Sequence, residues 1–224
     1  AADPDPHAYL PADEYLSGNV RKKLTIAEDA ARTDARYALN VERLQAVQPQ
    51  WLEAADIFVR LGTTWIPTEY YEKFAKETFE ISFWNREFHV EFDSFSGSYR
   101  VGGRSTEKAN ISINEIYGTK RMNALVLLDT LLNSRRVEVV DYYEDPDGKK
   151  RRVVNKEQTE AAQIKADAIK ERFSEWIWED PDRRETLCQI YNQTLNCIRP
   201  REYDGSILQL PGMNPDITLR PHQK

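Results

Sequence analysis

Four cations follow one another in Gly148-Lys149-Lys150-Arg151-Arg152, directly after Asp145-Pro146-Asp147. Proline at the second position and glycine at the fourth make Asp145-Pro146-Asp147-Gly148 a tight hairpin turn, so the cations stand at and just after its tip. Such a tip can straddle a phosphate backbone or enter a groove. Glu144, Asp145 and Asp147 just upstream leave open a solvated turn balanced by its own acids. Arg100-Val101-Gly102-Gly103-Arg104 sets two arginines around two glycines. That pattern suits either a backbone nest for a phosphate or a plain strand end. Arg21-Lys22-Lys23 falls on a helix whose other face is apolar, the arrangement of a solvated face. Trp176 belongs to an apolar helical stripe, whereas Trp84 and Trp178 have no clear face and are candidates for base stacking.

No other constellation completes an active site. The phosphate loop G-x-x-x-x-G-K-[ST] is missing, as are G-x-G-x-x-G and a Pro-Pro-aromatic methylase signature. His7, His89 and His222 are far apart, and none pairs with a cysteine at metal-site spacing. Ser94-Phe95-Ser96-Gly97-Ser98 lacks the leading glycine of a nucleophile elbow. Pro146-Asp147 is not followed by the acidic-x-Lys triplet of a nuclease. The expectation is a chain with no catalytic residues, metal or cofactor of its own.

Composition bounds the rest. At 224 residues with 40% hydrophobic content, the chain suffices for one packed domain or two small ones. A net charge of −6 argues against coating nucleic acid indiscriminately but allows a local basic face. Cys188 and Cys197 are too few for a disulfide framework and read as core thiols of a reducing compartment. Ala1 to Pro11 is polar and proline-rich, so no secretory signal is expected, and no apolar run approaches a membrane span. The expected location is the cytoplasm, without membrane contact.

The elements that must hold these residues read as α+β. Residues 1–10 are expected to be linker or disordered, and 11–198 a single domain, helical over 11–80, β-rich over 81–154 and helical over 155–198. Val20, Leu24, Ala27 and Ala31 share a helix face, with Ser17 or Asn19 as cap. A second helix starts at Asp34, carries Tyr37, Val41, Leu44 and Val47, and stops at Pro49. A third begins near Thr68 and buries some of Tyr70, Tyr71, Phe74 and Phe79, after a short extended segment at Ile57–Gly62.

The period then falls to two. Phe88, Val90 and Phe92 alternate with polar residues, and Ser96-Gly97 turns the chain into a strand with Tyr99 and Val101. A helix is expected over Asn123–Leu132. Val137, Val139, Tyr142 and Tyr143 lead to the charged hairpin, with Val153 and Val154 on its return strand. Ala162, Ala166, Ile169, Phe173, Trp176 and Ile177 mark a long helix, with Asn155 and Gln158 as a capping box. Asp180-Pro181 opens another helix carrying Leu187, Tyr191 and Leu195. Residues 199–224, rich in proline, are expected to be an extended connector.

Three stretches of that tail resemble one family: Arg199-Pro200-Arg201-Glu202-Tyr203-Asp204-Gly205-Ser206, Leu210-Pro211-Gly212-Met213-Asn214-Pro215 and Leu219-Arg220-Pro221-His222-Gln223-Lys224. Tyr15-Leu16-Ser17-Gly18-Asn19-Val20-Arg21, Val59-Arg60-Leu61-Gly62 with Trp65-Ile66-Pro67, and Asp180-Pro181-Asp182-Arg183-Arg184 look like the same family. These are the very large DNA methylase–helicase fusion proteins of bacterial plasmids, conjugative elements and phages, and the likeness spans nearly the whole chain. The resemblance implies an adenine-specific methylase-like region upstream and a superfamily 2 motor of the Swi/Snf type starting directly after this segment. Leu219 to Gln223 is similar to the glutamine motif before the ATP-binding loop, in which Gln223, with Arg220 beside it, would read the adenine edge. ATP and S-adenosylmethionine are thus expected only for the parent protein. The implied role is a DNA-engaging or motor-positioning domain, with DNA and the flanking methylase and helicase domains as partners. A structural spacer docking those domains is the alternative.

Overall fold

The computed structural model describes residues 10–82, 84–103, 109–144, 150–202, 211–212, 214, 217 and 220. In chain order the elements are α1 (Ala12–Tyr15), β1 (Gly18–Asn19), α2 (Val20–Thr33), α3 (Ala38–Ala46) and α4 (Thr68–Thr78). They continue with β2 (Val90–Asp93), β3 (Ser98–Val101), α5 (Ala124–Leu132), β4 (Val140–Glu144), β5 (Lys150–Val154), α6 (Lys156–Glu179), α7 (Pro181–Thr194) and β6 (Ile198–Arg199). The strands pair as β1–β6, β2–β3 and β4–β5, all antiparallel, so the fold class is α+β as expected. Contacts divide the chain into two compact units, Ala1–Leu52 with Tyr191–Lys224, and Glu53–Ile190. A single domain over 11–198 is the expectation from sequence.

The first unit is built on short helices with caps. Asn19 accepts the Lys22 N–H at 2.9 Å and so starts α2, while the other candidate cap, Ser17, donates instead to the Glu14 carbonyl. Val20, Ala27 and Leu44 form the core, with Leu24, Val41 and Val47 packed against it. The helix expected from Asp34 opens as a 3₁₀ turn, Ala35–Tyr37, and becomes α-helical only at Ala38. The tighter turn rotates Tyr37 off the Val41–Leu44 stripe, and it is exposed. After α7 the chain returns to the N-terminal segment, pairing Gly18 with Arg199 and Asn19 with Ile198. Arg201 then bonds Asp13 at 2.7 Å. The first residues of the expected connector are therefore held by ladder and ion pairs.

The second unit packs α4 and α6 through an aromatic core. Phe74 meets Phe173 and Trp176 edge-on at ring separations of 5.1 and 5.4 Å, and Tyr71 lies 5.6 Å from Phe173. All six apolar residues expected on the α6 stripe are buried. α5 is apolar almost all round and buried accordingly. Asn155 caps α6 by accepting the Gln158 N–H at 3.1 Å. The expected reciprocal half of a capping box is replaced, because the Asn155 N–H donates to the Val139 carbonyl.

Other details differ from expectation. Ile57, Val59 and Leu61 are buried while Phe58 and Arg60 face out, an alternation of extended chain, and the segment has no strand partner among the described residues. Phe88 and Val90 are buried, whereas Phe92 at the strand's far end is exposed against Tyr99. Val153, Val154 and Leu195 are exposed. A single π turn, Ser112–Ile116, has no signal in the hydrophobic pattern. Among the described residues, no helix is long and apolar enough to cross a membrane.

Candidate nucleic-acid interface

β4 and β5 form a two-stranded ribbon with Val140 opposite Val154, Asp141 opposite Val153, Tyr142 opposite Arg152, Tyr143 opposite Arg151 and Glu144 opposite Lys150. Directly opposed residues share a face, so Tyr142, Arg152, Lys150 and Glu144 stand on one side and Tyr143 and Arg151 on the other. Every residue of β5 is exposed, and Tyr142 and Tyr143 keep 70% and 49% of their surface in solvent. Both faces thus present a tyrosine beside an arginine. Lys149 and the Asp145–Gly148 turn lie outside the described residues.

The ribbon is anchored at its foot. Arg121 bonds Asp141 at 2.8 Å and the Val140 carbonyl at 2.9 Å, and the Asn155 amide bonds Asp141 at 2.7 Å. The amide of Asn155 and the guanidinium of Arg121 keep the Asp141 carboxyl below its ordinary value. Thr159 accepts the Val139 N–H at 2.9 Å, tying the ribbon's approach to α6. Arg152 reaches Glu138 at 3.1 Å.

The other basic features are placed differently. Arg100 is exposed on β3 opposite Glu91, and Arg104 lies outside the described residues. Gly102 donates its N–H to the His89 carbonyl at 2.9 Å, so that donor is not open to a phosphate nest. A Cβ at Gly102 would run into the His89 ring, and Gly103, at φ +70°, lies against the Glu87 backbone. These glycines serve a close chain approach. The solvated face expected at Arg21–Lys23 is not what forms. Arg21 donates to the Asn196 and Pro49 carbonyls at 2.8 and 2.9 Å and covers Trp51. Lys23 donates to the carbonyls of Glu14, Tyr15 and Ser17, where α1 ends. Of the three, Lys22 alone is exposed.

Trp176 is buried as expected and donates to Glu77 at 2.6 Å. Trp178 is half-buried, with its carbonyl taken by Arg184, whereas Trp84 is 89% exposed. Arg220 is exposed, and Gln223 lies outside the described residues.

Sequence reasoning missed a cleft of about 350 Å³ at the ribbon's foot, lined by Arg135, Arg136, Lys170, Glu138 and Val154 among others. The Arg135-Arg136 pair, just past α5, was visible, but no spacing rule joins it to Lys170 on α6. Tyr142 and Tyr143 read as strand residues, but counting back from a tight turn over Asp145–Gly148 would set Tyr143 opposite Lys150, one residue away from its actual partner Arg151. Among the described residues, no group of three or more His, Cys, Asp or Glu is placed to hold a metal ion.

No curated protein and no solved structure matches the chain. Residues 60–197, more than half of the sequence, match the family model described as Domain of unknown function (DUF8437), and the chain belongs to that family.

Proposed function

We propose that this chain is a non-catalytic, DNA-engaging or motor-positioning domain of a methylase–helicase fusion protein, working in the cytoplasm. One observation carries the nucleic-acid part: an anchored β-ribbon, exposed on both faces, that pairs Tyr142 with Arg152 and Tyr143 with Arg151. A two-stranded ribbon has little stability of its own, so an uncovered one is held at the expense of its anchors. A ribbon of this kind fits the major groove. Its arginines suit phosphates, and its tyrosines offer rings on which unpaired bases stack. The place of the domain in a fusion protein rests on the motifs quoted above. The test is fluorescence anisotropy of labelled duplex and single-stranded DNA with the whole chain at low salt. Saturable binding that weakens on Tyr142→Ala with Tyr143→Ala supports the reading, and an absence of binding ends it.

A spacer that docks the flanking domains is the second reading. It is favoured by aromatics away from the ribbon that are left uncovered among the described residues of the second unit: Phe95, fully exposed at the β2–β3 turn, Trp84, and Phe58 at 82%. Association with the separately produced flanking domains, lost on Phe95→Ser, would favour it over DNA engagement.

A further inference from the structure

We infer that the cleft at the ribbon's foot is a second phosphate-contact subsite, and that one ribbon face and the cleft form a single cationic track for a nucleic-acid backbone, with Glu138 as its internal competitor. The inference rests on the nucleic-acid reading above and deepens it. Lys150, Arg152 and Val154 share one ribbon face, at intervals of about 6.8 Å along an extended strand. Val154 also lines the cleft, so this face runs directly into it. There the walls add Arg135, Arg136 and Lys170.

These three cations are available for exchange. Arg136 is exposed and has no partner among the described residues. Arg135 is held loosely, 3.8 Å from Asp129, and the Lys170–Asp167 pair, though close at 2.8 Å, is solvent-exposed. Exposed ion pairs add little net stability, so a phosphodiester can replace a carboxylate at small cost. Among the described residues Glu138 is the one carboxylate of the cleft lining, and it bonds Arg152 at 3.1 Å across the junction of ribbon and cleft. A phosphate seated there displaces Glu138 from Arg152. In the absence of nucleic acid, that same pair keeps the track partly neutral.

The test compares four variants with the parent chain, each checked for an unchanged melting temperature. Arg135→Ala with Arg136→Ala should weaken binding of duplex DNA at least tenfold and flatten the slope of log affinity against log salt by about 1.8, two phosphate contacts' worth. Glu138→Gln should tighten binding about three- to tenfold, because it frees Arg152 and removes a like charge from the path. Lys150→Ala with Arg152→Ala should weaken binding in both the native and the Glu138→Gln background. Unchanged affinity and slope in the Arg135/Arg136 variant, beside a weakened ribbon variant, overturn the subsite and leave the ribbon reading standing. Pyrophosphate binding the cleft as tightly as DNA does would also overturn the track, in favour of a site for a small phosphorylated ligand. No DNA binding by the parent chain removes both readings together.

Discussion

The guanidinium of Arg183 lies 3.7 Å over the ring of Trp176 and donates to the backbone carbonyls of Trp176 and Ile177. Arg183 is only 5% exposed, and its charge is met by the carbonyl end of α6 and by an aromatic face. Its own N–H starts α7 by donating to Asp180 at 2.7 Å. The Asp180-Pro181-Asp182-Arg183-Arg184 motif is therefore a joint that ends one helix, turns the chain and begins the next.

Arg183→Ala is expected to cost about 2–4 kcal/mol, since buried carbonyls lose their donors together with the cation–ring contact. Arg183→Lys should recover part of this, keeping the charge but not the planar fork. Urea unfolding of the three proteins measures it, and an alanine variant as stable as the parent would show that the joint is not structural.

Gly62 sits at φ +83°, and a Cβ there would run into the Leu132 carbonyl oxygen at the end of α5. Gly62→Ala should cost at least about 2 kcal/mol, from backbone strain and collision together. Ser134 has the opposite problem. At φ 51° it occupies the left-handed position after α5, with its own N–H on Leu131 and the Arg135 N–H on Thr130. Ser134→Gly is expected to stabilise by about 0.5–1 kcal/mol, relieved strain less the chain entropy that glycine adds. Thermal unfolding checks both, and opposite signs of change are the result to look for.

Much of this architecture was legible because its signals are local. The α6 stripe from Ala162 to Ile177 follows from helical spacing alone, and Asn155 and one of the two cap candidates, Asn19, cap as their residue type suggests. What escaped depends on long-range partners. Arg21 and Lys23 look like surface cations until the chain brings the Pro49, Asn196 and Glu14 carbonyls to them. Gly102 and Gly103 look like a flexible nest until His89 and Glu87 fill the space beside them. The cleft joins Arg136 to Lys170 across an α5–α6 packing that no sequence interval encodes.

Arg21→Ala should separate structure from binding. It removes donors from two carbonyls and uncovers Trp51, for an expected loss of about 1–2 kcal/mol in the first unit. DNA affinity at temperatures where the variant is folded should stay within twofold of the parent. A large affinity loss without unfolding would make Arg21 a contact residue instead.

Acid should loosen the ribbon. Asp141 is held below its ordinary pKa of 3.8, first by the Asn155 amide and then by Arg121. A depressed carboxylate contributes in full above its unfolded pKa, and the contribution is lost as pH falls through the folded value. Exchange of the Val140–Glu144 amides should therefore accelerate, relative to intrinsic rates, as pH drops below about 4. Asp141→Asn should show the faster exchange already near neutral pH and lack the acid step. Identical profiles in the two proteins would remove Asp141 as the anchor.

The most direct test is a salt titration of DNA binding by the parent chain and by Lys150→Ala/Arg151→Ala/Arg152→Ala. These positions lie on an exposed strand, so the fold should survive, with surface changes usually within about 0.5 kcal/mol each. If the ribbon grips phosphates, the parent binds, and the triple variant flattens the slope of log affinity against log salt by up to about 2.7 on duplex DNA. A parent chain that binds with the same slope before and after the substitutions would contradict the ribbon's role.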